Sequence, residues 1–163
     1  MIPEYKTILY ATDLTPNAAQ AFRHAVSIAR HYGGKIHILH VIPEMDAAVV
    51  NYVATVMGEG RLGEYEVEHK QEILGEIQRR LRRFAEEELA DHPEDLERVA
   101  SVRIVHGHPA VQIVEAAEDL DADLIVMGSH GKGRLRHVFL GSVAERVLRK
   151  SRRPVLVSRL VEG

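Results

Sequence analysis

The chain of 163 residues contains no cysteine and no tryptophan, and aromatic residues make up only 5% of it. Without cysteine there is no disulfide, no thiolate nucleophile and no cysteine-based zinc site. With so few rings, branched aliphatics must fill the interior, as in a parallel sheet covered by helices. Apolar residues reach 45%, which is enough for a core. No apolar run approaches the roughly 20 residues that span a bilayer, so no membrane partner is expected. Nor is there an excess of positive charge. A net charge of −3 gives no reason to expect nucleic acid as a partner. The segment Met1-Ile2-Pro3-Glu4-Tyr5-Lys6 lacks the layout of a signal peptide, and a cytoplasmic location is the expectation. Linker-like and low-complexity stretches are missing too, so residues 1–163 are expected to form a single domain.

What is present is an alternation of strands and helices. Lys6–Thr12 reads as a short buried strand, followed by Asp13. Thr15 and Pro16 then offer an N-cap and a proline at the first helical position. Phe22, Ala25, Ile28, Ala29 and Tyr32 fall on one face of the helix they open, and Gly33-Gly34 ends it. Lys35–Ile42 is the second strand. Ala47–Met57 is apolar and reads as a short helix or an excursion. A long helix over Gly63–Ala90 repeats Val67, Leu74, Ile77, Leu81, Phe84 and Leu89 at helical spacing, with Glu and Arg on its solvated face. Val99–Val105 is the third strand, and Pro109 opens a helix bearing Ala110, Ile113, Val114, Ala117 and Leu120. Leu124–Met127 is the fourth strand, Ser142–Lys150 the last helix and Pro154–Leu160 the fifth strand. The order predicts an α/β fold: one doubly wound, five-stranded parallel sheet in the order 3-2-1-4-5, with helices on both faces. In such sheets ligands sit beyond the carboxyl ends of the strands, where the winding reverses. Asp13, Val41 and Met127–Gly131 all fall at such ends.

The segment from Met127 to Ser142 spaces its glycines as G-x2-G-x9-G-S, at Gly128, Gly131 and Gly141-Ser142. Glycines let a backbone turn sharply and approach a ligand closely. The start of the last helix offers free N–H groups to an anion, and Lys132, Arg134 and Arg136 add positive charge. These parts suit a phosphate. Two plainer explanations stand beside it. Glycines after a strand are ordinary turn residues, and Ser142 with Glu145 fits a capping box that only starts a helix. Neither a P-loop nor a G-x-G-x-x-G fingerprint after the first strand is present.

On these residues the whole chain resembles the universal stress proteins, and in particular their ATP-binding branch. Gly128, Gly131, Gly141 and Ser142 match that branch's glycine spacing without a gap. Ala11-Thr12-Asp13-Leu14-Thr15 is similar to the family's first-strand signature, with Thr15 where serine is common. Ser151–Val157 is similar to its closing strand, and residues 44–67 have no clear counterpart. The resemblance implies an adenine nucleotide (ATP, or AMP or ADP) as ligand, with Mg²⁺ on the phosphates, although no carboxylate cage for the ion is visible. It implies that Asp13 and the backbone around Ala11, Thr12 and Val41 hold adenine and ribose. Met127 and Gly128 would line the nucleotide. Ser129, His130, Gly131, Lys132, Gly133 and Arg134 would wrap the phosphates, and Ser142, Val143 and Ala144 would meet their far end beside Gly141.

Other chemistry finds less support. His106 and His108 flank a strand-to-helix turn where His108 could simply cap the helix. His37 and His40 point to opposite faces of a strand, and His24 and His31 lie two helical turns apart. No metal site is expected from them. His130, inside the glycine loop, is read as a phosphate neighbour rather than a general base. A receiver domain would need an acidic cluster around Asp13, which has no acidic neighbour. The expected role is therefore a stress-response or regulatory module that couples nucleotide occupancy to shape or partner choice. The alternatives are a slow ATPase or phosphotransferase on the same site, or a dimeric scaffold independent of nucleotide. A homodimer through the last strand is expected, because Val155-Leu156-Val157 is apolar at every position on a sheet edge. Arg152, Arg153 and Pro154 could alternatively protect that edge.

Overall fold

A computed structural model describes residues 1–43, 52, 55–56, 59–130 and 139–159. Strands β1 (Thr7–Ala11), β2 (Lys35–Ile42), β3 (Val99–His106), β4 (Leu124–Gly128) and β5 (Val155–Ser158) form one sheet in the order β3-β2-β1-β4-β5. Every pairing is parallel. Between the strands run helices α1 (Pro16–Tyr32), α2 (Glu59–Glu88), α3 (Pro109–Asp119) and α4 (Ser142–Lys150). This is the topology that the alternation predicts.

Strand parity decides which helix covers which face. Ile8, Tyr10, Ile36, Ile38, Leu124 and Val126 share a buried cluster with Phe22, Ala25 and Ala29 of α1 and Leu81 and Ala85 of α2. The intervening residues Leu9, Leu39, Val41, Ile125 and Met127 join Ile113 and Ala117 of α3 and Val147 of α4. Both faces of β1 and β4 are therefore dry, and their runs Ile8–Ala11 and Leu124–Met127 are apolar throughout rather than alternating. No helix among the described residues is long and apolar enough to cross a membrane.

The departures are at the edges of elements. Lys6 and Thr12 lie outside β1, and β5 begins only at Val155, because Pro154 has no N–H to give a ladder. Helix α2 starts at Glu59 rather than Gly63. One glycine costs a helix only about 1 kcal/mol and need not stop it. The helix or excursion expected over Ala47–Met57 lies outside the described residues except for Tyr52, Thr55 and Val56. A 3-10 turn over Pro93–Arg98 was not expected, being too short for periodicity to register. It brings Asp95, only 3% exposed, onto the guanidinium groups of Arg30 and Arg98. At the end of α1 the two glycines serve different ends. Gly33 takes the left-handed conformation (φ +64), whereas a Cβ on Gly34 would lie 2.8 Å from the Tyr5 carbonyl oxygen.

Candidate functional site

The winding reverses between β1 and β4, and their carboxyl ends open on the same side of the sheet. Beyond Ala11, the Thr12 N–H still donates to the Leu39 carbonyl (2.9 Å). The chain then turns tightly. Asp13 Oδ1 accepts from the Thr15 N–H at 3.0 Å and also from the Thr15 hydroxyl. Thr12 Oγ1 accepts from the Leu14 N–H (3.0 Å), and Leu14 takes a left-handed φ of +67. Thr15 does occupy the N-cap position of α1, but its hydroxyl is turned to Asp13 and makes no cap bond. Among the described residues both bonds to the Asp13 carboxylate fall on one oxygen.

Four of the sequence-predicted residues, Ala11, Val41, Met127 and Ala144, meet in a single apolar cluster on the α3/α4 face, with Val143 packed against it. Asp13 and Thr12 stand at the end of β1, next to this cluster in the chain. Gly128 is the last residue of β4, one position beyond the expected end of that strand. Ser129 is buried, and its N–H donates to the Ser158 carbonyl (2.9 Å). Its own carbonyl accepts from the Gly141 N–H (2.7 Å), so the two ends of the glycine loop are tied together. His130 holds its Nδ1 2.8 Å from Ser129 Oγ. Gly131, Lys132, Gly133 and Arg134 lie outside the described residues.

The capping box does not form. Gly141, with φ −68 and ψ 158, is the N-cap of α4, and Ser142 is already the first helical residue. Among the described residues the helix start has no side-chain cap, and Glu145 pairs with Arg149 (2.6 Å). The first-turn N–H groups of Ser142, Val143 and Ala144 thus have no intrahelical acceptor. The glycines also have a reason that their spacing does not reveal. A Cβ on Gly128 would come within 2.6 Å of Asn17 Nδ2, and one on Gly141 within 2.9 Å of the Ser129 carbonyl oxygen. At both positions the crowding comes from the protein itself.

The histidines are mostly engaged elsewhere. His37 Nδ1 is 2.7 Å from Ser101 Oγ, and burial together with the nearby Arg103 pulls its pKa down. His40 Nδ1 sits 2.8 Å from the Thr12 carbonyl oxygen and buttresses the backbone beside Asp13, a role its position on β2 did not announce. His108 is the N-cap residue of α3 but makes no side-chain cap bond. Its Nε2 lies 3.1 Å from Arg146 Nη1, placed to accept from the guanidinium. His92, Glu94 and Asp95 converge closely enough to hold an ion, yet Asp95 is already claimed by Arg30 and Arg98. The residue that sequence reasoning missed is Asn17, whose Nδ2 donates to the His130 carbonyl (2.7 Å).

Comparison with known proteins gives a consistent picture. The model of the universal stress protein family matches residues 4–159. Universal stress protein MJ0577 of Methanocaldococcus jannaschii is 35% identical over 156 residues, which is 94% of each chain. The solved structure of MJ0577 superimposes with a TM-score of 0.75 at 34% identity, covering 99% of this chain and all of that one. A universal stress protein crystallised in complex with cAMP shares the fold at 22% identity and a TM-score of 0.58, with 96% and 98% of the two chains covered.

Proposed function

As the chain belongs to the universal stress protein family, we propose that it binds ATP at the carboxyl ends of β1, β2 and β4. The observation that carries this is the start of α4. Its first turn, which has no side-chain cap among the described residues, lies against the Ser129-His130 turn, at the end of the sheet where Asp13 and Met127 also stand. Free helical N–H groups and the positive end of the helix dipole favour phosphate oxygens there. The apolar cluster around Ala11, Val41 and Met127 would receive the adenine, and the second oxygen of Asp13 would accept from a ribose hydroxyl. Ser129 to Arg134 would surround the phosphates, with Ser142, Val143 and Ala144 at their far end. Mg²⁺ would travel with the nucleotide and neutralise its charge rather than rest in a carboxylate cage. The fold is one on which an adenine nucleotide has been found, in the cAMP complex of the more distant relative.

Occupancy would join the loop, α4 and the β1–α1 turn around one ligand, and so serve as a signal to a partner. The proposal includes a symmetric dimer through β5, an edge strand with no further strand beside it among the described residues. Titration calorimetry with ATP and Mg²⁺ tests the binding. Saturable heat at micromolar to sub-millimolar nucleotide is the expected outcome, and no heat at millimolar nucleotide would overturn the reading.

A further inference from the structure

Asn17 lies on the first turn of α1, is 4% exposed, and comes from the opposite end of the chain to the glycine loop. Its Nδ2 donates to the His130 carbonyl. Because that carbonyl can only accept, the amide orientation is fixed, with Oδ1 as the buried oxygen that has no partner among the described residues. The same Nδ2 group is what a Cβ on Gly128 would strike, with Cγ next at 3.0 Å. Meanwhile the preceding carbonyl, that of Ser129, accepts from the Gly141 N–H. Two consecutive carbonyls at the start of the loop are therefore turned into the protein, one by α1 and one by the N-cap of α4. A carbonyl oxygen facing a phosphate would repel it, whereas a turn whose carbonyls are held away can present N–H groups.

We infer that Asn17 is a positioning residue for the glycine loop, and that position 128 is glycine to make room for the Asn17 amide. The part concerning phosphate rests on the nucleotide reading above. The part concerning the loop does not.

The test has two arms. In the nucleotide-free protein, hydrogen exchange follows the Ser129 and Gly141 amides, with Ile125 on β4 as control. Asn17→Leu, which keeps the volume and removes the donor, should speed exchange at Ser129 and Gly141 about tenfold or more and leave Ile125 unchanged. Gly128→Ala should lower the melting temperature by several degrees, roughly 3–8 °C. In an Asn17→Ala background the same change should cost almost nothing, since the nearest remaining atom, the Asn17 backbone carbon, lies at an ordinary 3.5 Å. In the second arm, Asn17→Leu should weaken ATP about tenfold and leave adenosine binding unchanged, a pattern that general destabilisation does not produce. Unaltered exchange at Ser129 and Gly141, or a Gly128→Ala penalty that persists without the Asn17 amide, overturns the inference. If exchange and the double variant behave as expected while the wild type binds no ATP, the nucleotide reading fails and the loop inference stands.

Discussion

A methyl group at position 141 would lie 2.9 Å from the Ser129 carbonyl oxygen and 3.3 Å from His130 Cα. The backbone there (φ −68, ψ 158) suits any residue, so the obstruction is purely spatial. Gly141→Ala should cost about 1–3 kcal/mol through overpacking, measurable by urea unfolding in the absence of any nucleotide, and should weaken ATP as a secondary effect. Asp95 allows a second prediction at this scale. The Arg30 guanidinium, and after it Arg98, holds its carboxyl below the usual carboxylate range, against the burial that opposes ionisation. A carboxyl with a depressed folded-state pKa contributes stability above its unfolded pKa of about 4 and loses it as pH falls through the folded value. Asp95→Ala should therefore narrow the stability gap between pH 7 and pH 3, as followed by denaturant midpoints. The neutral-pH loss should be about 1–2 kcal/mol, at the low end because both arginines reach solvent.

At the scale of elements, β5 is the instructive case. Val155 and Val157 pack into the cluster beneath α3 and α4, whereas Leu156 packs against the one beneath α1 and α2. Its apolar run is thus explained by two covered faces, and the case for pairing with another copy rests on its open edge alone. The Pro154 and Ser158 carbonyls accept from Ile125 and Ser129 of the β4 segment. By alternation, the polar groups of Leu156 also point inward and those of Val155 and Val157 outward. Val157→Pro should therefore reduce dimerisation in light scattering and leave the β4 pairing intact, and Leu156→Pro should unfold the edge. A wild-type monomer at tens of micromolar would sink the dimer. The strands, their order and the four helices α1 to α4 were legible, apart from the early start of α2, because the core-facing residues recur at regular spacing and the turns carry glycine and proline. The Pro93–Arg98 turn was not, having too few residues for a period. The candidate site was half legible. Glycine spacing located the loop, but the neighbour that forbids a side chain at Gly128 is Asn17, and its bond to His130 spans 113 residues. No local pattern encodes such a contact.

For the whole molecule, a ligand that binds only the folded state stabilises it by mass action. At a hundredfold excess over Kd this amounts to about 2.7 kcal/mol, or roughly 5–10 °C in Tm for a chain of this size. A thermal scan with Mg-ATP checks it. Turnover should stay well below about 1 s⁻¹, the lower end of ordinary enzymes, because the only histidine among the described loop residues, His130, is held by its Nδ1 against the Ser129 hydroxyl and is read as a phosphate neighbour rather than a general base. A phosphate-release assay faster than that favours the ATPase alternative.

The order β3-β2-β1-β4-β5 places the earliest strand in the middle of the sheet. Its first neighbour, β2, follows within a few dozen residues. Its second does not. Ile8 pairs with Leu124, 124 − 8 = 116 residues later. A ribosome adding roughly 5–20 residues per second takes about 6–23 s to cover that distance. Throughout that interval β1 can bond to β2 on one side only, and its other row of backbone groups is exposed. The half-built sheet of β1, β2 and β3 therefore carries a sticky margin in the nascent chain, where chaperones or a neighbouring chain on the same polysome would attach until β4 emerges.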